Sequence, residues 1–197
     1  MPAEKMDDSE PAHSTDLAQA PAPEPVDDGS PHVEVDVVHE VDQWRDNGVD
    51  RSLVARAVKA AIAAAGSAGD DPCEIAVLLT SDAQVRDLNG KWRGQERPTN
   101  VLSFPLAADG APPGEPRLLG DVVLAFETVL DEAGAKGLPL GDHASHLVVH
   151  GVLHLLGFDH QSDAEADGME ELERRVMASL GLADPYVPAP ALLGEGA

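Results

Sequence analysis

The segment His-Gly-Val-Leu-His-Leu-Leu-Gly-Phe-Asp-His, residues 150–160, carries the most specific structural signal in this sequence. His150 and His154 are four residues apart, so a helix places both imidazoles on one face. That is the spacing with which a helix chelates a metal ion. Gly157 is typical of a helix end, and the short turn after it can bring His160 back beneath the pair. Three neutral imidazoles with one open position are the plan of a catalytic zinc site, so we expect His150, His154 and His160 to bind a metal.

Two more histidines, His143 and His146, lie on the same predicted helix. His146 and His154 are eight residues apart, which is about 12 Å along a helix axis and too far for one ion to hold both. We therefore expect His146 to pack or hydrogen-bond behind the ligands, and His143 to be a core residue. Asp159 is the nearest candidate for a fourth ligand, but we expect it to face solvent or to support a ligand.

The composition excludes several classes of protein. Lys and Arg total 13 against 36 Asp and Glu, which gives a net charge of −23 and a pI near 4.4. Such an acidic chain is not expected to bind duplex DNA, whose backbone attracts basic surfaces. The single cysteine, Cys73, excludes an intrachain disulfide and a zinc site built from cysteines. With neither a signal-peptide pattern nor a long apolar run, we expect a cytoplasmic protein that does not enter a membrane.

The charge and proline content divide the chain into three parts. Residues 1–32 are acidic, contain six prolines and no aromatic residue, and are predicted to be a disordered tail. Residues 33–187 are predicted to form one domain, and residues 188–197 a loose C-terminal end. Within the domain, residues 107–116 are rich in Pro and Gly and are predicted to form a mobile loop.

The hydrophobic pattern of the domain predicts an α+β fold, a small mixed four-stranded sheet with helices packed on it. Strands are predicted near residues 32–38, 74–80, 101–104 and 121–126. Four helices are predicted. One lies near 54–62 with Asp50 or Ser52 as its N-cap, one begins with a capping-box pattern at Ser81 and has Val85, Leu88 and Trp92 on one face, and two lie near 143–156 and 163–180.

The histidine spacing matches the metal skeleton of the zinc-protease motif HExxHxxGxxH, and the site is zincin-like in that sense. The protease has its general-base glutamate directly after the first histidine, where this chain has Gly151. A glycine cannot accept a proton, so we expect no peptide hydrolysis by that route.

The chain also resembles the YbeY family of endoribonucleases that mature ribosomal RNA. Besides residues 150–160, the resemblance rests on Leu-Asn-Gly-Lys-Trp-Arg at 88–93, Arg-Pro-Thr-Asn-Val-Leu-Ser-Phe-Pro at 97–105 and Leu-Gly-Asp-Val-Val at 119–123. It spans roughly residues 33–187. Several separate motifs in one order make the resemblance specific, and the acidic N-terminal extension is the main departure from it.

The resemblance implies a single α+β domain with one metal ion, Zn²⁺ or another divalent transition metal such as Ni²⁺, on His150, His154 and His160. It implies single-strand-specific cleavage of RNA in ribosomal RNA processing, including maturation of the 16S rRNA 3′ end, and in ribosome biogenesis and quality control. By the same correspondence Arg93 is the functional arginine. Its planar guanidinium suits a phosphate better than a lysine does, and the metal would polarise a phosphate oxygen or a water molecule.

Two alternatives stay open from the sequence. One is a metal-dependent hydrolase of a non-RNA substrate, and the other is a non-catalytic ribosome-assembly factor with a structural metal. Since an acidic domain binds free RNA weakly, we also expect docking through a ribosomal protein or a ribosome-associated GTPase. Thr99, Asn100 and Ser103 either line the groove beside the metal and bind ribose or phosphate, or form hydrogen bonds at a turn or strand edge. Single-stranded RNA is commonly bound by stacking on aromatic rings, here those of Trp44, Trp92, Phe104 or Phe158. With only 3% aromatic residues, however, most of them are expected in the core, and none is predicted as a site.

Overall fold

The structure, a computed structural model, describes residues 32–66, 72–106, 112 and 115–187. The predicted N-terminal tail except His32, the C-terminal end at 188–197 and most of the predicted loop at 107–116 lie outside the described residues. The secondary-structure elements in chain order are β1 Val33–His39, α1 Gln43–Asp46, α2 Arg51–Ala64, β2 Cys73–Thr80, α3 Asp82–Arg93, β3 Val101–Pro105, β4 Arg117–Ala125, α4 Phe126–Lys136, α5 Leu140–Leu155 and α6 Asp163–Ser179.

The strands within these residues form one mixed sheet in the order β1-β2-β4-β3. β1, β2 and β4 are parallel, and β3 pairs antiparallel with β4 at the edge. The register of β4 shifts between its partners Glu74 and Ile75, which leaves a bulge just before Gly120. Gly120 has φ +128°, and a Cβ there would overlap the carbonyl of Phe104, so this bend requires glycine. The predicted four-stranded α+β architecture is confirmed.

The main core lies between one face of the sheet and a helical layer in which α5 packs against α2, α4, α6 and the strands β3 and β4. The predicted apolar stripe of α2 is fully buried: Val54, Ala57, Val58, Ala61 and Ile62. Asp50 is the N-cap of this helix, since its carboxylate accepts a hydrogen bond from the Leu53 N–H at 2.8 Å. Trp44 is also in the core, where its ring meets Phe126 edge-on at 5.2 Å. Among the described residues, no helix has the length and apolar character needed to cross a membrane.

Helix α4 was not predicted from the sequence. The predicted strand runs to Phe126, and the next predicted helix begins near residue 143. Phe126 is instead the first residue of α4, and its N-cap, Ala125, has no side chain that could cap the helix. Asp82 of α3 caps α4 instead, because its carboxylate accepts hydrogen bonds from the backbone N–H and the hydroxyl of Thr128 at 3.0 and 2.9 Å. A helix capped by a residue more than forty positions away leaves no local signal.

The capping box predicted at Ser81 is wrong, since the Ser81 side chain forms no cap hydrogen bond. Glu127 of α4 accepts the Asp82 N–H at 2.8 Å instead, so the first turns of α3 and α4 cap each other. A capping box does form at Ser162 and Glu165, at the start of α6.

The face of α3 that carries Val85, Leu88 and Trp92 is buried only in part. Val85 is buried on the second face of the sheet and Leu88 half-buried, but Trp92 is 63% exposed. Among the described elements only α3 packs on this face, over a small cluster that includes Leu102 and Val123. The apolar cluster does not extend to the last turn of α3, where the Trp92 ring contacts Phe104 edge-on and the Lys91 ammonium group lies over it.

Candidate metal centre

Helix α5 and the turn after it position the histidines. His143, His146, His150 and His154 follow one another at three- and four-residue spacing along α5. The helix ends at Leu155, and Gly157 adopts φ +90°, the left-handed conformation that reverses the chain. The Phe158 N–H then donates to the Leu153 carbonyl at 3.0 Å, which closes the turn that carries His160.

The three predicted ligands meet at one point. A ring nitrogen of each of His150, His154 and His160 lies within 4.8 Å of the other two. The Nε2 atoms of His150 and His154 are 3.1 Å apart, and the His160 ring lies 5.7 and 5.0 Å from theirs, centroid to centroid. The spacing of the sequence therefore predicted correctly which imidazoles come together.

The hydrogen bonds of the first two rings show which nitrogens are free. His150 Nδ1 lies 2.8 Å from a Glu173 oxygen, and His154 Nδ1 lies 3.0 Å from the Phe158 carbonyl. Both partners only accept, which assigns the proton of each neutral imidazole to Nδ1 and leaves a lone pair on each Nε2. Two lone pairs facing each other at 3.1 Å cannot form a hydrogen bond. A shared metal ion satisfies both, and the donor set therefore fits a transition metal.

The environment keeps His154 neutral, which is the form that binds metal. Burial lowers the pKa of His154, and the neighbouring rings of His150 and His160 lower it further. The hydrogen bond to Phe158 opposes these effects only in part. A neutral imidazole with its Nδ1 proton already engaged is held ready as an Nε2 ligand.

Glu173 of α6 holds the cluster from behind. It is completely buried, and its carboxylate accepts from His146 Nε2 and His150 Nδ1, both at 2.8 Å, and from the Tyr186 hydroxyl. Burial on its own raises the pKa of Glu173, but the three hydrogen bonds outweigh burial and lower the pKa from 4.5 to about 2. The carboxylate stays ionised and fixes the orientation of the His150 ring. His146 packs behind the ligands, as predicted.

Glu173 and Tyr186 are the site residues that the sequence analysis missed. Glu173 looked like one acid among many on α6, yet its position falls inside the buried stripe, between Leu172 and Val176. A charged residue inside an apolar stripe is the signal that indicates a buried partner. Tyr186 lies beyond α6 and had no comparable signal.

His143 belongs to a separate network, and its predicted core position is confirmed. It is 1% exposed and donates to Glu132 of α4 at 2.8 Å. Burial lowers the pKa of His143, while the hydrogen bond to Glu132 opposes that effect. Glu132 also accepts from the Asn100 amide at 3.0 Å, and the Asn100 oxygen accepts the Val101 N–H at 2.7 Å. This network ties the start of β3 to α4 and α5.

A cleft of about 570 Å³ opens in front of the three histidines. Arg93, at the end of α3, lines the same cleft, and its side chain is exposed. Thr99, Asn100 and Ser103 line it as well, while Asn100 and Ser103 also form hydrogen bonds with neighbouring backbone groups. These residues therefore line the cleft and two of them also form structural hydrogen bonds, while contact with ribose or phosphate stays a prediction. Lys91 and Arg97 are exposed beside the cleft but do not line it.

At Gly151, helix α5 packs closely against the sheet. A Cβ at this position would lie 2.7 Å from Val122 Cγ1 and 3.1 Å from Ser103 Oγ. The Ser103 hydroxyl also donates to the Gly151 carbonyl at 3.2 Å. The side chain of a glutamate, which is the general base at this position in the zinc proteases, would overlap Val122. Packing of α5 against the sheet therefore disfavours that base here.

Asp159 stabilises the turn. Its carboxylate accepts from the backbone N–H of His160 at 2.8 Å and from the Gln161 side chain at 2.5 Å. The hydrogen bond from the His160 backbone lowers the pKa of Asp159 first, and the one from Gln161 lowers it further. Asp159 therefore supports the segment that carries His160, as expected.

Comparison with known proteins identifies relatives across most of the chain. The family model described as endoribonuclease YbeY matches residues 40–181. A protein named endoribonuclease YbeY from Rhodopseudomonas palustris strain BisA53 is 48% identical over 158 residues, covering 79% of this chain and 90% of its own. The one from Bradyrhizobium sp. strain BTAi1 is 46% identical over 160 residues, covering 80% and 94%. A solution structure of a Thermotoga maritima protein covers 79% of this chain and 99% of its own, with 21% identity and a TM-score of 0.46.

Proposed function

Because the chain belongs to the endoribonuclease YbeY family, we propose that it is a metal-dependent endoribonuclease that cleaves single-stranded ribosomal RNA. Its role would be the processing of ribosomal RNA in the cytoplasm, including maturation of the 16S rRNA 3′ end, and with it ribosome biogenesis and quality control. The observation that carries this proposal is the pair of facing Nε2 lone pairs, with His160 beside them, in a cleft that Arg93 also lines.

His150, His154 and His160 would hold one divalent transition ion. Three imidazoles suit Zn²⁺ first, and Ni²⁺ as the alternative. When bound, the ion supplies Lewis-acid chemistry at a phosphate oxygen of the RNA. Glu173 and the Phe158 carbonyl hold the His150 and His154 rings in place, so the ligands need not reorganise on binding.

Arg93 is the residue that we assign to the phosphate. Its guanidinium stays charged at every physiological pH and offers parallel N–H donors to two oxygens of one phosphate. It lies in the same cleft as the imidazoles, so one phosphodiester can face both. Although the net charge of the chain is negative, binding of a phosphate in the cleft depends mainly on the positive charge of Arg93 nearby. A protein partner, either a ribosomal protein or a ribosome-associated GTPase, would supply further affinity for the ribosome.

Neither alternative function is favoured by an observation at the site. A peptide hydrolase of the zinc-protease type lacks its base, since Gly151 is packed against Val122. A purely structural metal would be closed by a fourth protein ligand. Among the described residues, the cluster of potential ligands consists of the three histidines and includes no fourth histidine, cysteine or carboxylate.

Metal content tests the ligand assignment. Purified wild-type protein loaded with Zn²⁺ and desalted should retain about one equivalent by elemental analysis. His154→Ala should lose most of it, because it removes one of two facing nitrogens. His143→Ala also removes a buried histidine of α5, but one that pairs with Glu132 and lies outside the ligand cluster, so this matched control should retain zinc. Equal zinc in wild type and His154→Ala would contradict the assignment.

RNA cleavage tests the reaction and the role of Arg93. Wild-type protein should cleave single-stranded rRNA fragments, lose that activity in chelator and leave casein intact. Arg93→Ala should lower kcat/KM for RNA about 100-fold, as loss of a transition-state donor does, with zinc content unchanged. Arg86→Ala, on an exposed part of the same helix away from the cleft, is the control. Cleavage of casein, or full activity of Arg93→Ala, would contradict the proposal.

A further inference from the structure

An apolar groove lies on the opposite side of edge strand β3 from the histidine cleft. It has a volume of about 580 Å³, and we call it the Trp92 groove. The side chains that form it include Leu78, Leu88, Trp92, Phe104, Leu106 and Val123. Trp92 and Leu106 are 63% and 51% exposed, and two large apolar side chains so exposed in one groove are unusual.

We propose that the Trp92 groove binds unpaired nucleobases of the RNA substrate next to the phosphate held in the histidine cleft. This inference rests on the proposed function, since it names a binding subsite for the same substrate. Single-stranded RNA is commonly bound by stacking of its bases on exposed aromatic rings.

The groove is continuous with the cleft. Pro105 at the end of β3 lines both cavities. Arg93 lines the cleft, and its neighbour Trp92 lines the groove. A strand whose phosphate reaches Arg93 therefore has its adjoining nucleotides within reach of the Trp92 ring.

The charges around the groove match a nucleotide. Lys91 Nζ lies over the Trp92 ring, 5.3 Å from its centroid, so a base that stacks on this face displaces the ammonium group toward the phosphate of the same nucleotide. Asp121 lines the groove itself, and its carboxylate repels phosphate but accepts hydrogen bonds from the amino groups of bases. The groove therefore favours bases, with the backbone outside beside Lys91.

The aromatic pair keeps the ring in place. Trp92 meets Phe104 in an edge-to-face contact with centroids 6.2 Å apart. This contact orients the indole, which is still 63% exposed, as a stacking platform requires.

Intrinsic fluorescence provides a direct test of binding. The chain has two tryptophans, and Trp44 is 0% exposed, so a ligand on the surface reports through Trp92. Titration of the full-length protein with a single-stranded RNA oligonucleotide should quench its fluorescence to saturation. Trp92→Phe, which retains only Trp44, should show no quenching. The absence of quenching in a wild type that cleaves the same oligonucleotide would overturn the inference.

Kinetics with modified RNA separates this inference from the proposed function. Trp92→Ala should raise KM for RNA about 5- to 150-fold with a smaller change in kcat, and Trp92→Phe should recover most of the loss. One abasic position next to the cleaved bond should raise the wild-type KM similarly and have little added effect on Trp92→Ala. Leu130→Ala, another exposed apolar side chain that lines neither cavity, is the control.

Three outcomes count against the inference. If wild type and Trp92→Ala cleave RNA with the same KM, the groove is not a base subsite, while the proposed function stands. If Trp92→Ala loses binding to a ribosomal protein and keeps its RNA kinetics, the groove is a protein-docking surface. If the wild type neither binds nor cleaves RNA, the proposed function fails and the subsite fails with it.

Discussion

Replacing Glu173 with alanine is expected to lower the free energy of unfolding of the metal-free protein by about 3–5 kcal/mol, the cost of removing one partner from a buried charged network. The change leaves His146 Nε2, His150 Nδ1 and the Tyr186 hydroxyl without their acceptor inside the fold. Urea unfolding in the presence of chelator measures the loss. Glu171→Ala, an exposed acid on the same helix, should change stability by no more than about 0.5 kcal/mol.

The isosteric change Glu173→Gln separates positioning from folding. It retains the shape of the side chain, but its amide can no longer accept from all three donors as a carboxylate does. Zinc affinity should fall about 10- to 100-fold, the usual effect of losing a hydrogen-bond partner behind a ligand. Competition with a chelating dye measures this, with Glu171→Gln as the control. A Glu173→Gln protein that folds and binds zinc like the wild type would show that Glu173 does not position His150.

Introducing the protease base by Gly151→Glu is expected to damage the fold and to produce no peptidase. The smallest step, Gly151→Ala, places a Cβ 2.7 Å from Val122 Cγ1 and should cost about 1–3 kcal/mol through overpacking. Gly151→Glu adds an unpaired carboxylate at the helix–sheet contact, so its loss should exceed that of the alanine variant. Thermal unfolding of both variants and a casein assay are the measurements.

Gly168 provides the matched comparison for Gly151. It lies in the interior of α6, and a Cβ there meets no atom within 4 Å. Gly168→Ala should therefore raise stability by about 0.5–1 kcal/mol, since glycine is a poor helix former. If Gly151→Ala stabilised the protein as much as Gly168→Ala, this would contradict the close packing of α5 against β3 and β4 at Gly151.

The parts of the fold that the sequence predicted are those with local signals. The α2 stripe, the cap at Asp50 and the strands each depend on residues that are neighbours in the chain. The histidine cluster also has a local origin, because one helix and the turn at Gly157 fix all three rings. Helical periodicity and the left-handed conformation of a glycine both depend on residues close in the chain. The spacing of the histidines was therefore sufficient to predict that their rings come together.

The parts that were missed depend on distant partners. Helix α4 begins without a cap of its own because Asp82 of α3 supplies it. Ser81 satisfies the sequence pattern of a capping box, but its side chain forms no cap hydrogen bond. Instead, the carboxylate of Glu127 accepts a hydrogen bond at the start of the helix. The exposure of Trp92 depends on how far the sheet is covered, which periodicity within α3 does not reveal. These are tertiary effects that override a correct local rule.

Zinc K-edge X-ray absorption of the full-length protein with one equivalent of Zn²⁺ tests the central claim most directly. The account predicts a tetrahedral ion with three imidazole nitrogens at about 2.0–2.1 Å and one light-atom ligand. In His154→Ala, this three-imidazole shell should be lost. A shell of oxygen atoms only, as from surface carboxylates, or the same spectrum in wild type and His154→Ala, would contradict it.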